Sequence, residues 1–295
     1  MSESLNQRLR QVLVRGAGLL IPGAANALAA RIIATNGFPA VYVTGAGIAN
    51  TALGVPDLGL VTLTELIDHV GAIREAVEIP LIVDGDTGFG NALNLRRTVR
   101  LIERAGANAV QIEDQVFPKR CGHFEGKTVI ATAAMVQKIK AAVDARHDAD
   151  FLIIARTDAR AVEGFEAAIE RAAAYRAAGA DILFVEAPQS IDELVAIPDR
   201  LPGAHVANMV FGGRTPGLSR ERLAGMGFAG ILYANAALQA AVAGMSRVLR
   251  HLAATGSLAG IEDALASFAE RQSLVELGRF MELGRRYGEP ADGDG

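Results

Sequence analysis

The sequence predicts an α/β protein, a (β/α)8 TIM-type barrel followed by a C-terminal helical extension. Three observations predict it. Short runs rich in Val, Ile and Leu recur along the chain, segments of helical periodicity separate them, and nearly every run ends on a polar residue. Runs that are apolar throughout read as strands buried on both faces, and strands alternating with helices imply a parallel sheet. Eight such units within about 235 residues fit a closed barrel better than an open doubly wound sheet, which usually has fewer strands.

The eight runs are Gly18–Ala24, Ala40–Gly45, Pro80–Asp86, Ala109–Asp114, Phe151–Asp158, Ile182–Ala187, His205–Val210 and Gly230–Ala234. Helical periodicity marks Leu93–Ala105, Ala131–Ala145, Phe165–Ala178 and Ser190–Arg200, several closing on Gly or Ala-Gly before the next strand. No dinucleotide or P-loop glycine fingerprint follows any strand, since Gly45-Ala46-Gly47 lacks a third glycine. After the eighth run comes a helical tail over residues 236–287, with apolar positions at Leu249, Leu252, Leu265, Phe268, Leu274, Leu277 and Phe280. That is more helix than a barrel needs to close, so part of it is expected to pack on another subunit. The chain 1–295 reads as one domain, with a barrel core at 18–235, the extension at 236–287 and a polar, Gly-rich end at 288–295 expected to be disordered.

Composition bounds the partners. A chain of 295 residues, 51% hydrophobic and 21% charged, buries a large core, and one domain is favoured over two. A net charge of −4 without a Lys/Arg block argues against nucleic acid or an acidic membrane. No apolar run reaches the ~18 residues of a spanning helix, and Met1-Ser2-Glu3-Ser4 lacks a signal pattern. One cysteine excludes an intrachain disulfide framework and makes a reducing cytoplasm the expected setting.

In a barrel the chemistry sits at the C-terminal ends of the strands. There the sequence places Asp84 and Asp86, Glu113, Arg156, Glu186 and Asn208. Each acid alone reads as a helix cap or half an ion pair. Four at one rim suit Mg²⁺ or Mn²⁺, with water and substrate completing the shell. Arg156 and His123 beside them suit an anionic, oxygen-rich substrate, a small organic acid. The lone cysteine lies in Lys119-Arg120-Cys121-Gly122-His123-Phe124. A single Cys is ordinarily a small buried hydrophobe, but two cations and an imidazole favour its thiolate and fit it to give and take a proton near neutral pH. His69, His147 and His251 read as solvated surface, His205 as structural, and Tyr175, Tyr233 and Tyr287 have no chemical partner visible in the sequence.

Taken together, Lys119-Arg120-Cys121-Gly122-His123, Asp84-Gly-Asp86-Thr-Gly-Phe-Gly-Asn91, Glu113-Asp114 and Thr44-Gly45-Ala46-Gly47 resemble the isocitrate lyase/phosphoenolpyruvate mutase superfamily, over residues 5–285. The cysteine signature resembles its lyase branch, the 2-methylisocitrate and 2,3-dimethylmalate lyases. The resemblance implies a Mg²⁺-dependent barrel, a homotetramer exchanging a helix beyond the eighth strand, and a mobile loop carrying the cysteine. It implies metal-site roles for Asp84, Asp86, Glu113 and Asp57, with Asp86 the direct ligand and the others acting largely through water. It implies that backbone N–H groups of Thr44-Gly45-Ala46 hold a pyruvate-like carboxylate, and that Arg156, Glu186, Asn208, Gly122 and His123 surround the substrate. Lys119 and Arg120 would tune Cys121 as the acid that protonates the carbanion after C–C cleavage, and Tyr42 lies at a position proposed as a base.

The chain departs from the methylisocitrate lyase pattern after the seventh strand. Asn-x-Thr-Glu-Phe-Gly is there replaced by Asn208-Met209-Val210-Phe211-Gly212. An apolar wall of Val210 and Phe211 would make an unpaired carboxylate costly and favour a smaller or alkylated malate. The alternatives are a decarboxylase or hydrolase of oxaloacetate or another 2-oxo acid on the same scaffold, and a non-catalytic binding barrel.

Overall fold

The computed structural model describes residues 3–120, 122 and 126–288. It divides into two compact units, Met1–Leu238 and Gln239–Gly295. The first is a closed barrel in which β1 (Leu19–Ala24), β2 (Val41–Val43), β3 (Leu81–Asp84), β4 (Ala109–Glu113), β5 (Leu152–Thr157), β6 (Ile182–Val185), β7 (Ala204–Asn208) and β8 (Gly230–Tyr233) follow one another in chain order. Every neighbouring pair is parallel, and β1 closes the ring against β8. The expected helices appear as Ala92–Arg104, Thr132–Ala145, Phe165–Ala177 and Ile191–Arg200. Two of the four are opened by side-chain caps: Asn91 accepts from the N–H groups of Leu93 and Asn94, and Ser190 from that of Glu193.

Strand parity explains how so apolar a sheet builds a polar site. Successive strand residues point to opposite faces, and here they divide between two apolar clusters. Val41, Val43, Leu81, Val83, Val110, Ile112, Ile153 and Leu183 pack outward with the helices. Tyr42, Ile82, Ala109, Ile154, Ile182, Phe184, Val206 and Leu232 belong to the inner cluster that fills the barrel. Counting two residues at a time from the inner set toward the strand ends reaches Thr44, Asp84 and Asp86, Gln111 and Glu113, Arg156 and Asp158, Glu186, and Asn208 and Val210. The same alternation that fills the core therefore aims the chemistry into the mouth.

Two features of the first unit were not anticipated. A helix at Leu5–Val12, opened by a Ser4–Gln7 capping box, sends Leu9 into the inner cluster together with Leu13. The Thr44–Gly47 segment, expected as a turn, instead opens a helix at Gly45–Ile48 that runs on into a wider π turn at Ala49–Leu53. Thr44 caps it by accepting from the Gly47 N–H, which ends β2 earlier than the apolar run suggested.

In the second unit, Gln239–Gly295, the chain forms the remainder of a helix at Ala236–Thr255, a 3-10 turn at Glu262–Ala264 and helices at Phe268–Leu274 and Leu277–Tyr287. Of the end expected to be disordered, Gly288 is described; residues 289–295 lie outside the described residues. Among the described residues no helix is long and apolar enough to cross a membrane.

Candidate active site

A cavity of about 220 Å³ opens at the C-terminal ends of the strands, smaller than the ~300–1,000 Å³ usual for drug-sized ligands. Its acidic side is built by β3 and β4. A Cβ placed on Gly45 would stand 3.3 Å from Asp86 Oδ1 and 3.5 Å from Asp84 Oδ2, so the bare glycine keeps open the space that both carboxylates face. Asp86 has φ +47°, a left-handed conformation that costs a non-glycine residue about 1–3 kcal/mol and concentrates at functional sites. Lys119 reaches into this group, its Nζ 2.5 Å from Asp57 Oδ1 and 2.8 Å from Asp86 Oδ1. Burial dominates the titration there. It raises the Asp86 carboxyl to about 7 against the pull of Lys119, and it raises Glu113 well above the carboxylate range against the pull of Arg156.

The opposite side is built by β5, β6 and β7. The register Glu113↔Arg156 sets an acid of β4 beside the cation of β5, with Arg156 Nε 3.4 Å from Glu113 Oε2. Arg156 also lies 3.0 Å from Asp158 and 3.6 Å from Glu186, and its guanidinium stacks 5.2 Å over the Phe184 ring. Burial works against its charge, but Asp158, Glu186 and Glu113 outweigh it and hold Arg156 cationic. Asn208 donates to Glu186 Oε2 at 3.5 Å. Gly122 presses so closely on this group that a Cβ would stand 2.8 Å from Glu186 Cγ.

The structure brings Tyr42, Thr44, Ala46, Asp57, Asp84, Glu113, Lys119, Arg120, Gly122, Arg156, Glu186, Asn208 and Val210 to the cavity wall, with Gly45 and Asp86 immediately behind it. Cys121 and His123 lie outside the described residues. One expectation is corrected. Phe211 is 89% exposed and is not part of the cavity wall, because β7 has ended at Asn208 and Phe211 sits in the turn closed by the Gly213 N–H to Val210 carbonyl bond; the apolar wall consists of Val210, Leu232, Ala234 and Ala46. The Tyr42 phenol is buried, donates to Gln111 Oε1 at 2.8 Å, and is pushed well above its usual range by burial and by Asp84.

Several site residues escaped the sequence reading. Gln111 bridges Tyr42 to Asp84, its Nε2 3.3 Å from Asp84 Oδ1; its position two residues before Glu113 was the available signal. Asn235 accepts from Thr44 Oγ1 at 3.3 Å and lines the cavity. Asp114 and Asp158 form a buried layer beneath the wall, joined by the Asp158 N–H to Asp114 Oδ1 at 2.9 Å. Tyr175 also has a partner after all, donating to Asp114 Oδ2 at 2.7 Å.

The acids fit a divalent cation held sparingly. Among the described residues no three acidic, histidine or cysteine side chains close on one point as a ready-made cage. Mg²⁺ characteristically takes one or two carboxylates and keeps water on its other positions. Among the described residues Glu113 Oε1 is buried without a hydrogen-bond partner, and the Asp84–Asp86 pair faces a common opening; both are features a hydrated cation would satisfy.

A closed parallel barrel with acids on one wall of its cavity and a buried arginine on the other has the makings of an enzyme site. Comparison with known proteins gives the family. The family described as phosphoenolpyruvate phosphomutase matches residues 9–253. The chain is 43% identical over 280 residues to the 2,3-dimethylmalate lyase of Eubacterium barkeri, covering 95% of this chain and 97% of that one. It is 42% identical over 270 residues to the 2-methylisocitrate lyase of Shewanella oneidensis, covering 92% of each. Among solved structures, a 2,3-dimethylmalate lyase superposes with TM-score 0.91 at 34% identity, over 100% of this chain and 99% of that one. A phosphonopyruvate hydrolase in complex with oxalate and Mg²⁺ superposes with TM-score 0.86 at 31% identity, over 97% and 99%. The chain belongs to the phosphoenolpyruvate mutase/isocitrate lyase superfamily, and within it is an enzyme of the carbon–carbon lyase kind.

Proposed function

We propose that this chain is a Mg²⁺-dependent lyase, with Mn²⁺ as an alternative metal. It would cleave a substituted 2-hydroxy di- or tricarboxylate of the 2,3-dimethylmalate or 2-methylisocitrate type into pyruvate, or a related 2-oxo acid, and a carboxylic acid. The observation that carries the reading is the two-walled cavity: Asp57, Asp84, Asp86 and Glu113 around Lys119 on one side, and Arg156, Glu186 and Asn208 on the other. Asp86 would hold the metal directly, with Asp84, Glu113 and Asp57 acting largely through its water. When bound, the metal lowers the pKa of the substrate's 2-hydroxyl and polarises the neighbouring carboxylate.

The chain's own groups account for the rest. In the Thr44-Gly45-Ala46 segment, Gly45 and Ala46 at the start of their helix offer backbone N–H groups to the carboxylate of the nascent 2-oxo acid, while the Thr44 N–H is held by the Ala24 carbonyl. As the hydroxyl proton passes to a carboxylate of the acidic wall, C2 becomes a ketone, the C2–C3 bond breaks, and its electron pair passes to C3 and the adjoining carboxylate. Arg156 is a fixed cation placed for that growing charge, a case of electrostatic preorganisation, and Tyr42 is a donor beside the acids. Cys121 then delivers a proton to C3, tuned by Lys119, Arg120 and His123. Val210, Leu232 and Ala234 form a wall suited to an alkyl group, which favours an alkylated malate over a tricarboxylate. The assembly is proposed to be a cytoplasmic homotetramer with helices exchanged between subunits.

A product assay tests this. Purified protein with Mg²⁺ is offered a panel of malates and citrates while pyruvate is followed with lactate dehydrogenase. Pyruvate is expected from an alkylated malate, with activity lost on chelation and cut by at least about 10²-fold in Cys121→Ser, the lower range for losing a general acid. Silence across the panel overturns the lyase reading. Oxaloacetate turnover that survives Cys121→Ser points instead to a decarboxylase or hydrolase.

A further inference from the structure

One carboxylate beneath the cavity serves two partners. Asp158 is fully buried just past the end of β5. Its Oδ2 accepts from Arg156 Nε at 3.0 Å and its Oδ1 from Arg156 Nη2 at 3.1 Å. The same Oδ1 accepts from Lys127 Nζ at 2.7 Å. Asp158 is itself held from behind: its N–H donates to Asp114, which the hydroxyls of Thr157 and Tyr175 fix at 2.7 Å each. Burial would push its carboxyl up, but Arg156 and Lys127 bring it down to about 2, so it is an anion at every working pH.

Lys127 is also buried, and its ammonium donates to the Gly122 carbonyl as well as to Asp158. Near the other end of the same excursion, Gln115 grips the backbone of Arg120 with both halves of its amide, accepting from the N–H at 2.9 Å and donating to the carbonyl at 2.8 Å. The chain is pinched beneath by the Gln115↔Val129 bridge and the Val116 N–H to Thr128 carbonyl bond. Of these two anchors, only Lys127 ends on a group that also holds a cavity side chain.

We propose that Asp158 is a positioning residue with two charges in its grip: a single carboxylate sets the Arg156 guanidinium and, through Lys127, the Gly122 backbone that packs against Arg156 and Glu186. The inference rests on the reading of Arg156 as a substrate contact.

The experiment compares the full-length wild type with Lys127→Gln, Lys127→Arg, Asp158→Asn and the Lys127→Gln/Asp158→Asn double variant. Oxalate binding with Mg²⁺ is measured by calorimetry, kcat and KM on the malate found by the product assay, and the melting temperature of each variant. Lys127→Gln is expected to lower kcat at least tenfold while oxalate Kd stays within threefold, and Lys127→Arg to recover most of kcat. Asp158→Asn is expected to weaken oxalate at least tenfold as well as lowering kcat, and the double variant to be no worse than Asp158→Asn alone, as for groups acting through one link. Wild-type kcat in Lys127→Gln, or losses that multiply in the double variant, would overturn the proposal. If Asp158→Asn does not fold, the two Lys127 variants still decide. A wild type silent on every malate ends the lyase reading, and Asp158→Asn that still weakens oxalate at least tenfold keeps Asp158 as the residue that sets Arg156. Turnover with both Asp158→Asn readouts at wild-type values does the reverse.

Discussion

Asp86 concentrates the costs of the site in one residue. Its backbone sits at φ +47° and its carboxyl is buried among Asp84, Asp57 and Lys119. Lys119 offsets the crowding only in part, since burial still lifts the Asp86 carboxyl to about 7. Under the proposed function a divalent cation would supply the missing charge, so Mg²⁺ is expected to stabilise the fold by mass action, about 2.7 kcal/mol at a hundred times its Kd. In a thermal melt this is a rise of several degrees, and Asp86→Asn is expected to lose more than half of it. A Mg²⁺ shift as large in Asp86→Asn as in the wild type would remove Asp86 from the metal site.

At the scale of the element, β7 carries a second buried titratable group at the end of the barrel away from the cavity. His205 is fully buried, one ring nitrogen 3.0 Å from the Leu201 carbonyl and its ring edge-on to Phe228. Burial lowers its pKa to about 4, the Leu201 bond opposing and Arg176 and Arg15 assisting. The unfolded chain, with an ordinary value near 6.5, therefore binds a proton between pH 6.5 and 4 that the folded chain refuses. Stability is lost as pH falls through that window, by about 3 kcal/mol at ~1.4 kcal/mol per unit. His205→Gln, which keeps a donor for Leu201, is expected to flatten the urea-midpoint profile between pH 6.5 and 4; an unchanged acid limb would show that His205 does not titrate there. The strands that carry such groups were legible because an apolar run of five to eight residues between helical patterns has few other readings, and their polar ends marked the rim. What parity adds was also in the sequence: Gln111 stands two before Glu113 and Asp158 two after Arg156. Tyr175 was not legible, because its partner Asp114 is 61 positions away and no local pattern encodes so distant a pairing. Phe211 was misplaced because β7 ends at Asn208 and a turn, not the strand's alternation, carries it into solvent.

At the scale of the molecule, the second compact unit, Gln239–Gly295, ends in a helix whose large apolar side chains are left in solvent. Along Leu277–Tyr287, Leu277, Phe280, Met281 and Tyr287 are all exposed, Phe280 by 59%, and Phe268 on the preceding helix by 71%. Leu277, Phe280 and Met281 follow the i, i+3, i+4 spacing of a single helix face. Scattered exposed apolar residues are ordinary, but a contiguous row marks an interaction surface. A second copy of the chain is the occupant expected from the proposed tetramer, and each large side chain covered would contribute about 1.5–3 kcal/mol. Phe280→Glu with Met281→Glu places two charges on that row, which an apolar contact between copies cannot accommodate. Sedimentation velocity at a fixed protein concentration is expected to show the wild type as an oligomer and the double variant shifted toward smaller species, with the barrel's circular dichroism unchanged. If the variant sediments as the wild type does, the row faces solvent in the assembly and the subunits meet elsewhere.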